Sequence, residues 1–302
     1  MQNLWQSFLD WMYAPRQVLA LCEIWPRVRE LFSFPGLKRM DVLLLVIFEL
    51  FGVVLFDLPR TPRGPELDLT GYSLVLEDNF DGDTLNLDIW EYRGTGMSSS
   101  GRRFHPAQVR VENGNLILRA EYREDGPAGA DWYNAMLRTK QEFTYGYFEA
   151  TCIAADLGGS AWWLNAQGMT SSALSQGGVG GAELDIMEAY NNNNLLKKNS
   201  VGINVHVDGY GADLKSQQLG NWRGKNIYKQ INTYGLLWTQ EEYIFYVNGV
   251  EAVRSSFKDG VSNAPEYAIF SMALPLEIIQ GTDRSLATEF IIDSVRIWQK
   301  DG

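Results

Sequence analysis

Six turn dipeptides punctuate the chain after Tyr72: Asp81-Gly82, Asn113-Gly114, Asp125-Gly126, Asp208-Gly209, Asn248-Gly249 and Asp259-Gly260, and the runs between them are short and alternating. Asn-Gly and Asp-Gly tolerate the positive φ that a two-residue hairpin turn demands, and a period of two gives a strand one face for a core. Arg110-Val-Glu112 leads into Asn113-Gly114 and Asn115-Leu-Ile-Leu-Arg119 returns; Tyr243-Ile-Phe-Tyr-Val247 turns at Asn248-Gly249 into Val250-Glu-Ala-Val253. There is no βαβ rhythm and no internal repeat. About a dozen such strands predict an all-β fold, a two-sheet antiparallel β-sandwich.

The first sixty residues read differently. Leu4, Phe8, Leu9 and Met12 recur at helical spacing, and Gln17 to Phe34 is helix-compatible apart from Pro26. Val42 to Phe56 is nearly all apolar, with Glu49 its one charge. That run is shorter than the roughly 20 residues a spanning helix needs. A buried or interfacial helix suits it best; a marginal signal anchor is the alternative, because Lys38 and Arg39 precede it and Asp57 follows. No small-residue cleavage pattern follows it. Leu45, Phe48 and Phe51 are expected to be buried against the sandwich, a micelle or a membrane. The Pro- and Gly-containing stretch from Pro59 to Leu67 marks a boundary. The expected division is a helical, apolar segment 1–61 and a β-sandwich domain 62–302, with membrane contact through residues 42–56 as an option.

Composition excludes some partners. A net charge of −11 and two histidines disfavour a nucleic-acid surface and a histidine-rich metal site. Cys22 and Cys152 form no metal-ligand or redox motif and read as two isolated small hydrophobes. No cofactor is expected. Ten Trp, fourteen Tyr and fourteen Phe serve cross-strand packing first, and part of that aromatic surface suits stacking on a sugar ring.

The chemically loaded segment is Gly180-Gly-Ala-Glu183-Leu-Asp185-Ile-Met-Glu188-Ala-Tyr190. On a strand Glu183 and Asp185 share one face while Leu184 and Ile186 take the other. Glu188 has the wrong parity to join them. One extra residue at Ile186 or Met187, a β-bulge, corrects it, and bulges are frequent beside active sites. Three acids on one face repel one another and raise at least one pKa, which a plain solvent-facing strand avoids by mixing charges. Acetal hydrolysis needs this pairing: one carboxylic acid to protonate the leaving oxygen and one carboxylate to attack the anomeric carbon or activate water. Spacing alone leaves the retaining and inverting arrangements both open.

These residues resemble glycoside hydrolase family 16 in its bulged Glu-x-Asp-x-x-Glu form, over about Tyr72 to Gln299. Leu76-Glu-Asp-Asn-Phe-Asp-Gly82 with Trp90, the hairpin from Arg110 to Ala120, and Arg138-Thr-Lys140 with Phe143, Tyr145-Gly146 and Glu149 match in order, as do Tyr234 to Trp238, Val247-Asn248-Gly249 and Phe290 to Trp298. The resemblance implies a concanavalin A-like jelly roll acting on β-linked glucans or galactans. It implies Glu183 as nucleophile, Asp185 as its assistant and Glu188 as acid/base, with retention of configuration. It also implies substrate contact by Glu149 and a cleft-lining Trp163. The chain departs from the family where Trp-Pro is expected, with Gly177-Gly178-Val179-Gly180. It departs again in Gly159-Ser-Ala-Trp-Trp163 and Ser271-Met-Ala-Leu-Pro275. These changes touch sugar subsites and leave the acids intact.

His206 has the parity to face the cleft if Asn204 does, and would bind a sugar hydroxyl; a structural strand histidine is the alternative. Of the adjacent Trp162 and Trp163, one must face the cleft and the other the core. The expected function is an endo-acting retaining glycosidase with a polysaccharide substrate, extracellular or membrane-anchored with the catalytic domain outside. A noncatalytic carbohydrate-binding sandwich is the first alternative, although it has no need of both glutamates. A membrane-anchored transglycosylase is the second.

Overall fold

The computed structural model describes residues 59–97, 102–167, 169, 180–191, 199–257 and 260–302. The helices expected before residue 61 and the apolar run 42–56 lie outside these residues. Within them the chain is built from seventeen strands. In order they are β1 Tyr72–Asp78, β2 Trp90–Tyr92, β3 Gly96–Met97, β4 Arg103–Phe104, β5 Val109–Glu112, β6 Asn115–Arg123, β7 Asp131–Phe143, β8 Gly146–Ile153 and β9 Gly158–Ala166. There follow β10 Ala182–Asn191, β11 Ser200–Val207, β12 Lys215–Arg223, β13 Asn232–Trp238, β14 Tyr243–Val247, β15 Val250–Ser255, β16 Glu266–Ala273 and β17 Ala287–Lys300. One short α-helix, α1 Leu276–Gln280, precedes β17.

Two sheets stack face to face. The first runs β2-β7-β16-β9-β10-β11-β12, all antiparallel. The second runs β5-β6-β17-β8-β13-β14-β15, with β1 beside the C-terminal half of β17. Strand β7 joins them: Asp131 to Tyr133 pair with β6, and Ala135 to Phe143 pair with β16. Both Asn-Gly hairpins form as read, with positive φ at Asn113, Gly114, Asn248 and Gly249, because two left-handed residues match the twist of the paired strands. Domain pairing begins at Arg60, whose N–H donates to Asn221 O at 2.8 Å and whose carbonyl accepts from Arg223 N at 2.7 Å.

The core lies between the sheets and is rich in aromatics: Trp90, Trp162, Trp238, Phe148, Phe270 and Phe290 are all fully buried. Trp162 stacks on Phe270 at 4.5 Å and 24°, and Phe290 meets Phe270 edge-on. Cys152 is buried in this core and its thiol is pushed up by burial, the behaviour of a small hydrophobe.

Candidate active site

Strand β10 sits inside the first sheet between β9 and β11, so its side chains are held from both edges. Leu184, Ile186, Met187 and Ala189 are fully buried, which leaves Glu183, Asp185 and Glu188 on the outer face of the sheet. The parity correction is a bulge. Asp185 pairs with Trp163 and Met187 with the adjacent Trp162, so Ile186 is the extra residue, and on the other edge Asp185 faces Asn204 while Glu188 faces Gly202. Two successive apolar side chains therefore enter the core, and Glu188 returns to the face of the other acids.

Each acid has its own partner. Glu183 Oε2 accepts from the Tyr210 hydroxyl. Asp185 Oδ2 lies 3.1 Å from His206 Nε2, and His206 Nδ1 lies 2.6 Å from Ser216 Oγ. Glu188 accepts from Tyr190 Oη at 2.8 Å and from Asn204 Nδ2. His206 is the strand neighbour of Glu183, with Nε2 4.0 Å from Glu183 Oε1. Burial, then the charges of Glu188 and Glu183, holds the Asp185 carboxyl well above the usual carboxylate range. Burial also pushes Glu183 up, and the Tyr210 hydroxyl and then His206 offset part of that rise.

Trp163 stands beside this row: its strand neighbour is Asp185, its Nε1 donates to Ser271 Oγ at 3.2 Å, and the Arg93 guanidinium lies 4.9 Å from its ring centroid. Trp162 takes the core position. Ser271 is therefore the residue that fixes the Trp163 indole. The structure brings Glu183, Asp185, Glu188, Trp163 and His206 together. It does not bring Glu149. That residue is on β8 of the second sheet, where Phe148 and Ala150 fill the core and Glu149 points outward with Tyr147, accepting from Tyr147 Oη at 2.9 Å. The two outer faces are on opposite sides of the sandwich, so the expectation of substrate contact by Glu149 is corrected. Its packing partners are Tyr147 and, across the sheet, Arg296.

Sequence reasoning missed Tyr190, Asn165, Tyr210 and Arg93. Parity was a usable signal for Tyr190 and Asn165, which share the outer face with Glu188 and Trp163. Tyr210 follows Asp208-Gly209 in a loop and Arg93 follows β2, where no periodicity operates. Depressions of about 380 Å³, lined by Gln108, Arg110 and Arg119, and about 360 Å³, lined by Asp156, Tyr228 and Thr288, lie away from the acids.

Beneath the start of β10, Gly181 adopts φ +90°, and a Cβ there would meet Ala166 Cβ at 2.2 Å, so the position needs glycine twice over. Next to it, Ala182 N donates to Glu266 Oε1 at 3.0 Å, which also accepts from Ser262 Oγ at 2.9 Å. Glu266 is fully buried and burial raises its pKa to about 8. Below the ordinary carboxylate value both folded and unfolded chains hold this proton. As pH rises from there to about 8 the unfolded chain ionises first, so unfolding releases a proton and stability falls across that window. The contribution is on the order of a few kcal/mol. Thermal melts at pH 5, 7 and 9 are expected to fall less steeply in Glu266→Gln, which keeps the acceptor for Ala182 and cannot ionise. Parallel melting profiles would refute the assignment.

Three carboxyl groups share one outer sheet face, the most buried of them held well above the usual carboxylate range and the other two on neutral hydrogen-bond donors, and they form a candidate site for acid–base chemistry. The GH16 domain of the β-porphyranases A–D matches residues 74–294. The chain belongs to glycoside hydrolase family 16 and is an endo-acting β-glycoside hydrolase. A β-glucanase of Rhodothermus marinus is 27% identical over 231 residues, 72% of this chain and 75% of the relative. The endo-1,3-1,4-β-glycanase ExsH of Rhizobium meliloti is 29% identical over 273 residues, 78% of this chain, which spans about half (54%) of that relative's length. A κ-carrageenase from Zobellia galactanivorans superposes with a TM-score of 0.64 at 20% identity, covering 80% of this chain and 100% of that one. A laminarinase catalytic domain from Thermotoga petrophila RKU-1 gives 0.61 at 20% identity, covering 76% and 99%. The fold is the jelly-roll sandwich of these enzymes.

Proposed function

We propose that the chain cleaves internal β-linkages of a polysaccharide, a β-glucan or galactan, by double displacement with retention at the anomeric carbon. The observation that carries this reading is the bulge at Ile186, which spends a residue of register to put Glu188 on the face of Glu183 and Asp185. A strand needed only for packing gains nothing from it. In the first step Glu188 gives its proton to the glycosidic oxygen as a Glu183 oxygen bonds to the anomeric carbon and the bond to the leaving sugar breaks. In the second, Glu188, now a carboxylate, takes a proton from water; the water oxygen bonds to the anomeric carbon, the ester to Glu183 breaks and its carboxylate is restored. Asp185, buried beside His206 with its carboxyl held well above the usual carboxylate range, steadies the charge on Glu183 as it appears and disappears. Trp163 offers an aromatic face to a sugar next to the scissile bond.

The acids lie on the outer face of a sheet, and a matched relative is an endo-1,3-1,4-β-glycanase, which together support internal cleavage. The names of the relatives set the panel: porphyran, κ-carrageenan, laminarin and a mixed β-1,3-1,4-glucan. One of these is expected to yield a ladder of oligosaccharides with a rapid fall in viscosity. Release of monosaccharide alone would contradict endo action, and no cleavage with retained binding would favour a noncatalytic sandwich.

A further inference from the structure

Burial works against an ionised Glu183, and the charge of Glu188 works in the same direction. Asp185 and Glu188 share its strand face, and the charge of Glu183 is felt by Glu266 beneath. The Tyr210 hydroxyl, then His206 on β11 and Arg93 after β2, oppose them, with Arg138 on β7 close enough to act on Arg93. The Arg93 guanidinium does not touch Glu183, yet a continuous chain of hydrogen bonds joins the two. Arg93 NH2 donates to Asn165 Oδ1 at 3.0 Å, Asn165 Nδ2 donates to Tyr210 Oη at 3.0 Å, and Tyr210 O–H donates to Glu183 Oε2.

The direction of that chain is forced by its first member. A guanidinium only donates, so the amide oxygen of Asn165 must face it and the amide NH2 must face Tyr210. Tyr210 then accepts at its oxygen and has one proton left, which goes to the carboxylate. Each donor in such a series is strengthened by the one before it. The parts are also held in place. Asn165 is 3% exposed and is the strand neighbour of Glu183 on β9. Arg93 is pinned by its backbone N–H to Met136 O at 3.0 Å and lies on the Trp163 ring, with NH1 buried and without a hydrogen-bond partner among the described residues. Leaving a buried donor of a permanent cation unpaired is unfavourable, and functional sites are where such arrangements persist. The loop that carries Tyr210 is closed by the ion pair of Lys215 Nζ with Asp208 Oδ2 at 3.0 Å.

We infer that Arg93, Asn165 and Tyr210 form a one-way relay that delivers the charge of Arg93 to Oε2 of the nucleophile and leaves Oε1 as the attacking oxygen. This rests on the reading of Glu183 as nucleophile. Arg93 and Asn165 are positioning residues; Tyr210 touches the reacting carboxylate. The relay serves both steps, since it favours the carboxylate before attack and again as it leaves in deglycosylation.

The test is the pH dependence of kcat/KM for the wild type, Tyr210→Phe, Arg93→Met and the double variant. Tyr210→Phe removes one oxygen from a side chain that is 61% exposed, so folding is not at risk. Its acid limb is expected to move up by about one pH unit, the effect of losing one hydrogen bond to a charged group. Arg93→Met should move it the same way by less, and the double variant no further than Tyr210→Phe, because the path for the Arg93 effect is already cut. Additive shifts, or an unmoved limb with only a lower Tm, would overturn the relay. Glu183→Ala measured alongside keeps the two readings apart. An active Glu183→Ala overturns the nucleophile and the relay together; an inactive one with an unmoved limb in Tyr210→Phe overturns the relay alone.

Discussion

Glu188→Ala is expected to lower kcat on the natural polysaccharide on the order of 10³-fold, because the leaving oxygen of a sugar needs a proton as the bond breaks. An aryl glycoside with a good leaving group needs little protonation, so the same variant should form the glycosyl-enzyme from it readily and then stall without a base for water. Glu183→Ala has no such escape. Under the proposed mechanism it removes the atom that bonds to the anomeric carbon, and the loss should be at least on the order of 10⁴-fold on both substrates. Steady-state rates on the two substrates separate the roles. A Glu188→Ala enzyme equally impaired on both, or a Glu183→Ala enzyme that keeps its aryl glycoside activity, would exchange or dismiss the assignments.

The neighbouring tryptophans should give effects as different as their sides of the sheet. Trp162 is fully buried and stacked on Phe270, so Trp162→Ala removes a large apolar surface and leaves a cavity between the sheets. The expected destabilisation is about 3–5 kcal/mol, which for a domain of this size lowers Tm by roughly 10 °C. Trp163 stands on the outer face, where Trp163→Ala should leave Tm within a few degrees and raise KM through loss of the sugar platform. Thermal melts and KM measured on both variants decide it. If Trp163→Ala were the destabilising change and Trp162→Ala the one that raised KM, the facing of β9 would be reversed.

Much of this was legible in the chain because one periodicity and its one break carry it. Alternation between turn dipeptides gave the sandwich, and the failure of that alternation between Asp185 and Glu188 pointed to a bulge that the pairing with Trp162 and Trp163 then located at Ile186. His206 followed from parity with Asn204. Parity says which face a residue takes, not which side of the sandwich that face is on, and Glu149 shows the difference. It has the alternation of an outward acid, but β8 pairs with β13 and β17 and belongs to the sheet opposite the acids. Tyr210 and Arg93 were invisible for another reason. They reach the site from a loop and a strand end, and only the closed structure brings them to Asn165 and Glu183.

The most direct test of the central assignment is the anomeric configuration of the azide product made by Glu188→Ala from an aryl β-glycoside. If Glu183 attacks the anomeric carbon from the side opposite the leaving group, azide must displace it from the β face, and NMR of the product should show a β-glycosyl azide. Glu183→Ala with azide should give at most the α product, by a single displacement. An α-glycosyl azide from Glu188→Ala would contradict the account, because it would mean that no ester to Glu183 had formed.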